Sequence, residues 1–339
     1  MKQSKIKEYF LSLPSEAQDN FLSELHDLKD TSNYNLLEKR VIQLDNKQGI
    51  CPHCGGLHYT KNGKDKKVQK YKCNSCTRNF TAFTGTWLAH IHKKHLLLPY
   101  LKLMKQGKSL DKIKVELKIN KKTAFDWRHK INASIKDIEK DSFNGITESD
   151  ETFFLHSKKG SSELDRKPRK RGKAIKKKGI SDNQVAVIVS SDRKNTMDFN
   201  VACLGRITKK NITQAIGDKI EDRTILCTDG HVSYKGFTID NSIEHHVLRS
   251  DLKQYVKQKI YHIQHVNSIH SRMKNWIDKQ LLGVSSKYLQ NYMNWFHIKE
   301  KFTEPEFIEK IIQLSFDNTR AVKDYRNIEK EYEILMNLA

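Results

Sequence analysis

The chain has 339 residues, of which 37% are hydrophobic and 30% charged, and carries a formal net charge of +22. That length supports two or three domains with a substantial core, and the excess of positive charge favours a polyanionic partner. No apolar run approaches the ~18 residues of a spanning helix, and residues 1–7 lack the apolar centre of a signal peptide, so the expectation is a cytoplasmic protein with no membrane partner.

Residues 1–49 read as patches of amphipathic helix, with apolar groups at Ile6, Phe10 and Leu11, at Phe21, Leu22, Leu25 and Leu28, and at Leu36, Leu37, Val41 and Leu44. They suit a small helical cap or contact with a second subunit. Residues 50–83 carry two Cys-x-x-Cys pairs, Cys51/Cys54 and Cys73/Cys76, separated by eighteen residues. Four thiolates in paired knuckles match a tetrahedral structural Zn2+ and leave no open position for metal catalysis. Lys61-Asn62-Gly63-Lys64 is the expected turn between the strands of this ribbon. Cys203 and Cys227 stand alone in apolar surroundings and are expected to be small buried side chains.

Residues 84–141 read as helical. A helix over 96–105 is broken at Gly107, Ser109 caps a second over 110–117, and Asn120 opens a third through Thr123–Ile131. This is the cadence of a helix-turn-helix, whose last helix would present Lys121, Lys122 and Arg128 to DNA while Ala124, Phe125, Trp127 and Ile131 pack inward.

Residues 145–298 hold the candidate chemistry. Runs at 184–189, 198–204 and 244–249 read as strands, with a short helix over 211–220. Asp150 and Asp229 are placed at the ends of strand-like runs, and their hard oxygens suit Mg2+ or Mn2+, the ions that phosphodiester cleavage and transfer require. Glu151 is expected to point away from Asp150 and to make a salt bridge. Asp182, Asp192, Asp198 and Glu244 are weaker metal candidates. Between the two aspartates, the loop 157–179 is strongly basic: residues 158–178 include eleven Lys or Arg, among them Arg169, Lys170 and Arg171, suited to a phosphate backbone. Later, Asn267, His270 and Lys274 share one face of a polar helix. Leu289, Tyr292, Met293 and Phe296 are expected to pack another helix onto the sheet, and residues 299–339 read as further helix.

Taken in order, several motifs resemble the transposases of insertion sequences that join an N-terminal zinc ribbon to a DDE-type, ribonuclease-H-like domain. They are Cys51-Pro-His-Cys54 with Cys73-Asn-Ser-Cys76, Phe80–Thr86, Lys122–Ile131, Ser149-Asp-Glu-Thr152, Arg166–Gly172, Cys227-Thr-Asp-Gly230 and His265–Lys274. The resemblance implies a multidomain chain: a zinc ribbon and a helix-turn-helix-like region, then an α/β ribonuclease-H-like domain with a mixed sheet. It also implies double-stranded DNA with terminal inverted repeats and target DNA as partners, a homodimer or larger DNA-bound assembly, and metal-dependent cleavage followed by strand transfer. Asp150 and Asp229 would be the first two acidic residues. The third position departs from the pattern: counting back seven residues from the basic Lys274 gives Asn267, and no glutamate lies between Lys253 and Trp295. The role then falls to Asn267 or to His270, with Lys274 on the DNA. A nuclease that does not join strands, and a zinc-containing DNA-binding regulator without catalysis, are the alternatives.

Overall fold

The computed structural model describes residues 3–22, 40–65, 68–164, 167, 179–318 and 320–338. Arg169, Lys170 and Arg171 lie outside the described residues. In chain order the first elements are α1 (Gln3–Ser12), β1 (Tyr59–Asp65), β2 (Val68–Cys73), β3 (Asn79–Phe80), α2 (Leu97–Lys105), α3 (Leu110–Glu116) and α4 (Lys121–Ser134). Then come β4 (Ile146–Leu155), β5 (Gln184–Asp192), β6 (Met197–Leu204), α5 (Lys209–Ile216), β7 (Ile225–Thr228), α6 (Val232–Asp240) and β8 (Glu244–Val247). Four helices follow: α7 (Gln264–Lys274), α8 (Leu289–Lys301), α9 (Glu304–Asp317) and α10 (Ala321–Leu338). Contacts divide the chain into two units, Met1–Lys94 with Glu304–Thr319, and His95–Thr303 with Arg320–Ala339.

The first unit is built on the antiparallel sheet β1-β2-β3. Tyr59, Tyr71 and Phe80 pack ring against ring, with centroids 5.3–5.6 Å apart, and Leu44, Cys51, Cys73 and Ala82 complete this small core. Tyr59 donates to the Leu44 carbonyl and Tyr71 to Asp45 Oδ1, so the chain before the ribbon is tied to it. The expected turn at Lys61–Lys64 is instead an irregularity inside β1, where the pairing register with β2 shifts. Gly63 at φ +68° allows it, because a glycine in the left-handed region takes up an extra residue in a ladder without ending the strand. α9 groups with this unit although it lies more than 200 residues downstream: Arg40 donates to the Phe316 carbonyl, and Phe83 stacks on the Phe316 ring.

In the second unit, five strands lie in the order β6-β5-β4-β7-β8. β4 is antiparallel to β5 and β5 to β6, whereas β7 runs parallel to β4 and β8 parallel to β7. A crossover through α5 therefore brings β7 beside β4, and α6 connects β7 to β8. One face of the sheet is sealed by α5 and α6: Ala186, Ile188, Cys203, Ile212, Ile216, Leu226, Tyr234 and Phe237 form one buried cluster. The other face takes α7 and α8. Leu289, Tyr292, Met293 and Phe296 are buried as expected, and Phe199 of β6 meets Phe296 edge to face. Buried Asp198 is held between Lys140 and Lys219, and Asp192 caps the β5–β6 turn through the N–H groups of Lys194 and Thr196, so both have structural partners.

Two of the three helices before the sheet begin as the capping residues predict: the side chain of Ser109 accepts from the Lys112 N–H and that of Asn120 from the Lys122 N–H. Gly107, at φ +72°, separates α2 from α3, and a Cβ there would lie 2.7 Å from Trp276 Nε1, so the break is also a packing contact. Among the described residues, no helix is long and apolar enough to cross a membrane.

Candidate metal centres

The four-cysteine site is assembled by two tight turns. The Gly55 N–H donates to the Cys51 carbonyl, the Cys51 N–H to the Gly56 carbonyl, and the Cys73 N–H to the Arg78 carbonyl. All four sulfurs fall within 4.8 Å of one another, with Cys51–Cys76 at 3.7 Å and Cys54–Cys73 at 3.6 Å. Tetrahedral zinc with ~2.3 Å bonds sets its sulfurs about 3.8 Å apart, so the cluster has the size of that ion. The Arg78 backbone N–H draws the Cys76 thiol down to about 6. The Gly56 N–H favours the Cys54 thiolate too, but neighbouring sulfurs and burial push Cys54 up to about 12. Sulfurs this crowded ionise together only around a cation. Cys203 and Cys227 are buried in the second unit, and burial pushes each thiol up to about 11.

The second centre is acidic, and it forms where β7 stops. The β4–β7 ladder ends at Glu148–Cys227, so from Ser149 onward that edge of β4 is open, and Asp229 follows directly on the last residue of β7. The expectation that Asp150 ends a strand is corrected: it lies in the middle of β4, level with the end of the neighbouring β7. Gly230 makes the exit from β7 tight: its φ is +91°, and a Cβ there would lie 2.3 Å from Val247 Cγ1. Asp229 is exposed, with Oδ1 accepting from the His231 N–H.

Carboxylate oxygens of Asp150, Glu151 and Asp229 lie within 4.8 Å of one another. The inclusion of Glu151 corrects the expectation that it turns away into a salt bridge. By register Glu151 does belong to the opposite face, since it pairs with Ile188 of the α5/α6 core whereas Asp150 pairs with Val189. A carboxylate oxygen of Glu151 nonetheless comes to the cluster beside the open edge of β4, and the Glu151 N–H donates to Asp150 Oδ1. Glu151 Oε2 is buried without a hydrogen-bond partner among the described residues. Burial, and then the charges of Asp229 and Glu151, hold the Asp150 carboxyl well above the usual range. Burial and Asp229 push Glu151 up to about 7. Adjacent Asp and Glu residues carry no signal of this in the sequence, because strand alternation alone separates them.

α7 crosses the same face as Asp150. His270 is buried, its Nδ1 is 3.9 Å from Asp150 Oδ2, and its Nε2 has no partner among the described residues. Burial, with help from Lys274, lowers its pKa to about 4, so the ring is neutral at pH 7. Asn267 and Lys274 are exposed on the same helix, and the Asn267 backbone carbonyl accepts from Ser271. A cleft of 850 Å³ opens beside Asp229, lined in part by His231, Lys235 and Arg249.

The predicted recognition helix divides in two. Lys121 and Lys122, in its first turn, are exposed, and Lys121 pairs with Asp111 at 2.8 Å. Arg128 is 2% exposed: it donates to the Lys108 carbonyl, and its guanidinium lies 4.9 Å from the Trp295 ring. This corrects its assignment to DNA, because the second half of α4 is covered by α8 and α10 and serves the core. His129 is likewise buried, its ring 3.9 Å from that of Tyr288 and 5.9 Å from that of Tyr325.

Antiparallel β6-β5-β4 extended by parallel β7 and β8, with carboxylates gathered where β7 ends beside β4, is consistent with a ribonuclease-H-like domain. Residues 142–300 match the model of the ISXO2-like transposase domain. No curated protein gives a significant match to the chain.

Proposed function

We propose that the chain is a DNA transposase that binds the terminal inverted repeats of an insertion sequence and cuts and joins DNA ends with divalent metal ions. The observation that carries this reading is the meeting of Asp150, Glu151 and Asp229 oxygens at the open edge of β4, inside a transposase-family domain. Three hard oxygen donors beside a neutral imidazole fit Mg2+ or Mn2+. Two such ions, when bound, activate the attacking oxygen and stabilise the leaving one.

The chain's own residues have separable roles in this reading. Asp150 and Asp229 are the negative ligands, and Glu151 adds the carboxylate that the α7 position lacks. His270, neutral and aimed at Asp150, is the α7 group placed to supply a nitrogen ligand, while Asn267 offers a neutral oxygen one turn earlier. Lys121, Lys122 and Lys274 take phosphates, as do Arg169, Lys170 and Arg171, and Lys235 and Arg249 line a basic path leading to Asp229. The ribbon holds Zn2+ as a structural ion and docks DNA with its lysines.

The test follows cleavage and joining separately on a labelled repeat end over a titration of Mg2+ and Mn2+. Asp150→Ala and Asp229→Ala should each lower cleavage by about 10³-fold or more, the several kcal/mol that a metal supplies to the transition state, with DNA binding kept. Retained cleavage in either variant would end this reading, and cleavage without joining would favour a nuclease. Asn267→Ala and His270→Ala, compared in the same titration, decide which α7 residue raises the metal requirement.

A further inference from the structure

We propose that Glu148 and Arg193 form a clamp that sets the position of α7 along β4, making Glu148 a positioning residue for the acidic centre. The inference rests on the reading of Asp150 as a metal ligand, but its geometry lies outside that centre. Glu148 is fully buried and stands two residues before Asp150, on the same face of β4. Its Oε2 accepts the backbone N–H of Val266 at 3.1 Å. This N–H lies in the first turn of α7, where donors have no partner within the helix, and Ile263 at the helix start offers no side-chain cap. A residue from another element therefore does the capping, and a carboxylate at a helix N-terminus is favoured by the helix dipole as well.

Spacing turns this cap into a register device. From Val266 to His270 the helix rises about 6 Å, and from Glu148 to Asp150 the strand advances about 6.6 Å. Fixing Val266 on Glu148 thus brings His270 opposite Asp150, where its Nδ1 is found 3.9 Å away. Glu148 is itself held from the end of β5. Arg193 Nη1 pairs with Glu148 Oε1 and contacts His265 Nδ1, while its Nη2 donates to the Ile260 carbonyl at 3.0 Å. His262 Nδ1 and His265 Nδ1 lie 3.2 and 3.1 Å from the same Oε1. One carboxylate and two imidazoles would suit a metal ion, but here the guanidinium takes the cation's place. Arg193 joins β5, the segment leading into α7 and the buried face of β4 at a single point.

The test uses the full-length, zinc-loaded protein with two readouts: amide hydrogen exchange over 264–270, and binding of Mn2+ followed by its electron paramagnetic resonance signal. Glu148→Ala should speed exchange of the Val266 amide by roughly 10- to 100-fold, the loss of a charge-assisted hydrogen bond. It should also weaken Mn2+ by roughly 10- to 100-fold, as loss of an outer-shell partner does. Glu148→Gln keeps an acceptor for Val266 and should restore most of both. Unchanged exchange in Glu148→Ala would overturn the clamp, and faster exchange with unchanged Mn2+ binding would overturn its positioning role. If Glu148→Ala does not fold, Arg193→Gln at the rim decides by the same two measures. A wild-type protein that binds no Mn2+ would remove the metal reading and its link to Glu148, while the exchange arms would still judge the contact itself.

Discussion

The two metal centres are built in opposite ways. The four-cysteine site draws every ligand from one short stretch, Cys51 to Cys76, and backbone turns at Gly55 and Arg78 shape it. The acidic centre takes Asp150 and Glu151 from the middle of β4 and Asp229 from the exit of β7, residues that meet only because a crossover lays β7 parallel to β4 and then ends it early. A local site is fixed by spacing and depends on its ion for stability. A distributed site is fixed by a sheet that stands without the ion, so its residues are free to serve chemistry.

That contrast is broken most easily at the ribbon. Chelation of zinc, or Cys51→Ser, should unfold residues 51–80, since structural zinc supplies about 10–16 kcal/mol in modules of this kind, and should leave β4 and β5 protected. Zinc content together with hydrogen exchange over both regions checks it; equal loss of protection in both would erase the distinction. In the acidic region the reverse holds. Asp150→Asn should leave thermal stability unchanged or raised, because an isosteric amide removes a buried carboxylate that lacks a neutralising partner, and a thermal melt without added metal measures this.

Arg128 separates core from surface within α4. Arg128→Ala should cost about 2–4 kcal/mol by leaving the Lys108 carbonyl unpaired and stripping Trp295 of its cation, whereas Lys122→Ala should stay within about 0.5 kcal/mol. Urea titration of both variants tests the pair. Similar losses would mean that Arg128 is not a packing residue.

A smaller effect is expected from pH. Glu151 titrates at about 7 in the folded protein, raised by burial and by Asp229. A raised carboxyl pKa means that the folded state holds the proton more tightly than the unfolded one, so this group's contribution to stability is present at low pH and is lost as pH rises from the ordinary carboxylate range through 7. Metal binding has the opposite slope, since protons compete with the ion. From pH 8 to pH 6 the Mn2+ concentration for half-saturation should rise by up to about tenfold, and Glu151→Gln should flatten that dependence.

Much of the fold was legible from residues alone. The helix starts at Ser109 and Asn120, the strands around 184–189 and 198–204, and the burial of Leu289, Tyr292, Met293 and Phe296 all follow from caps and periodicity. What could not be read was decided by tertiary context. Arg128 reads as a DNA contact because α4 stands where a helix-turn-helix puts its recognition helix, yet α8 and α10 close over that half of the helix. Glu151 reads as salt-bridged because alternation opposes it to Asp150, yet it joins Asp150 and Asp229 beside the edge that the short β7 leaves open. Glu148 gave no signal at all, since its partners Arg193, His262, His265 and Val266 lie 45 to 118 residues away.

The central claim is that Asp150, Glu151 and Asp229 together hold divalent metal. It is tested most directly by Mn2+ binding to the zinc-loaded chain at pH 8, comparing the wild type with Asp150→Asn, Asp229→Asn and Glu151→Gln. Wild-type protein should bind Mn2+ beyond its zinc content, and each substitution should weaken that binding by about tenfold or more, each removing one negative ligand. Equal Mn2+ binding by all four proteins would contradict the claim.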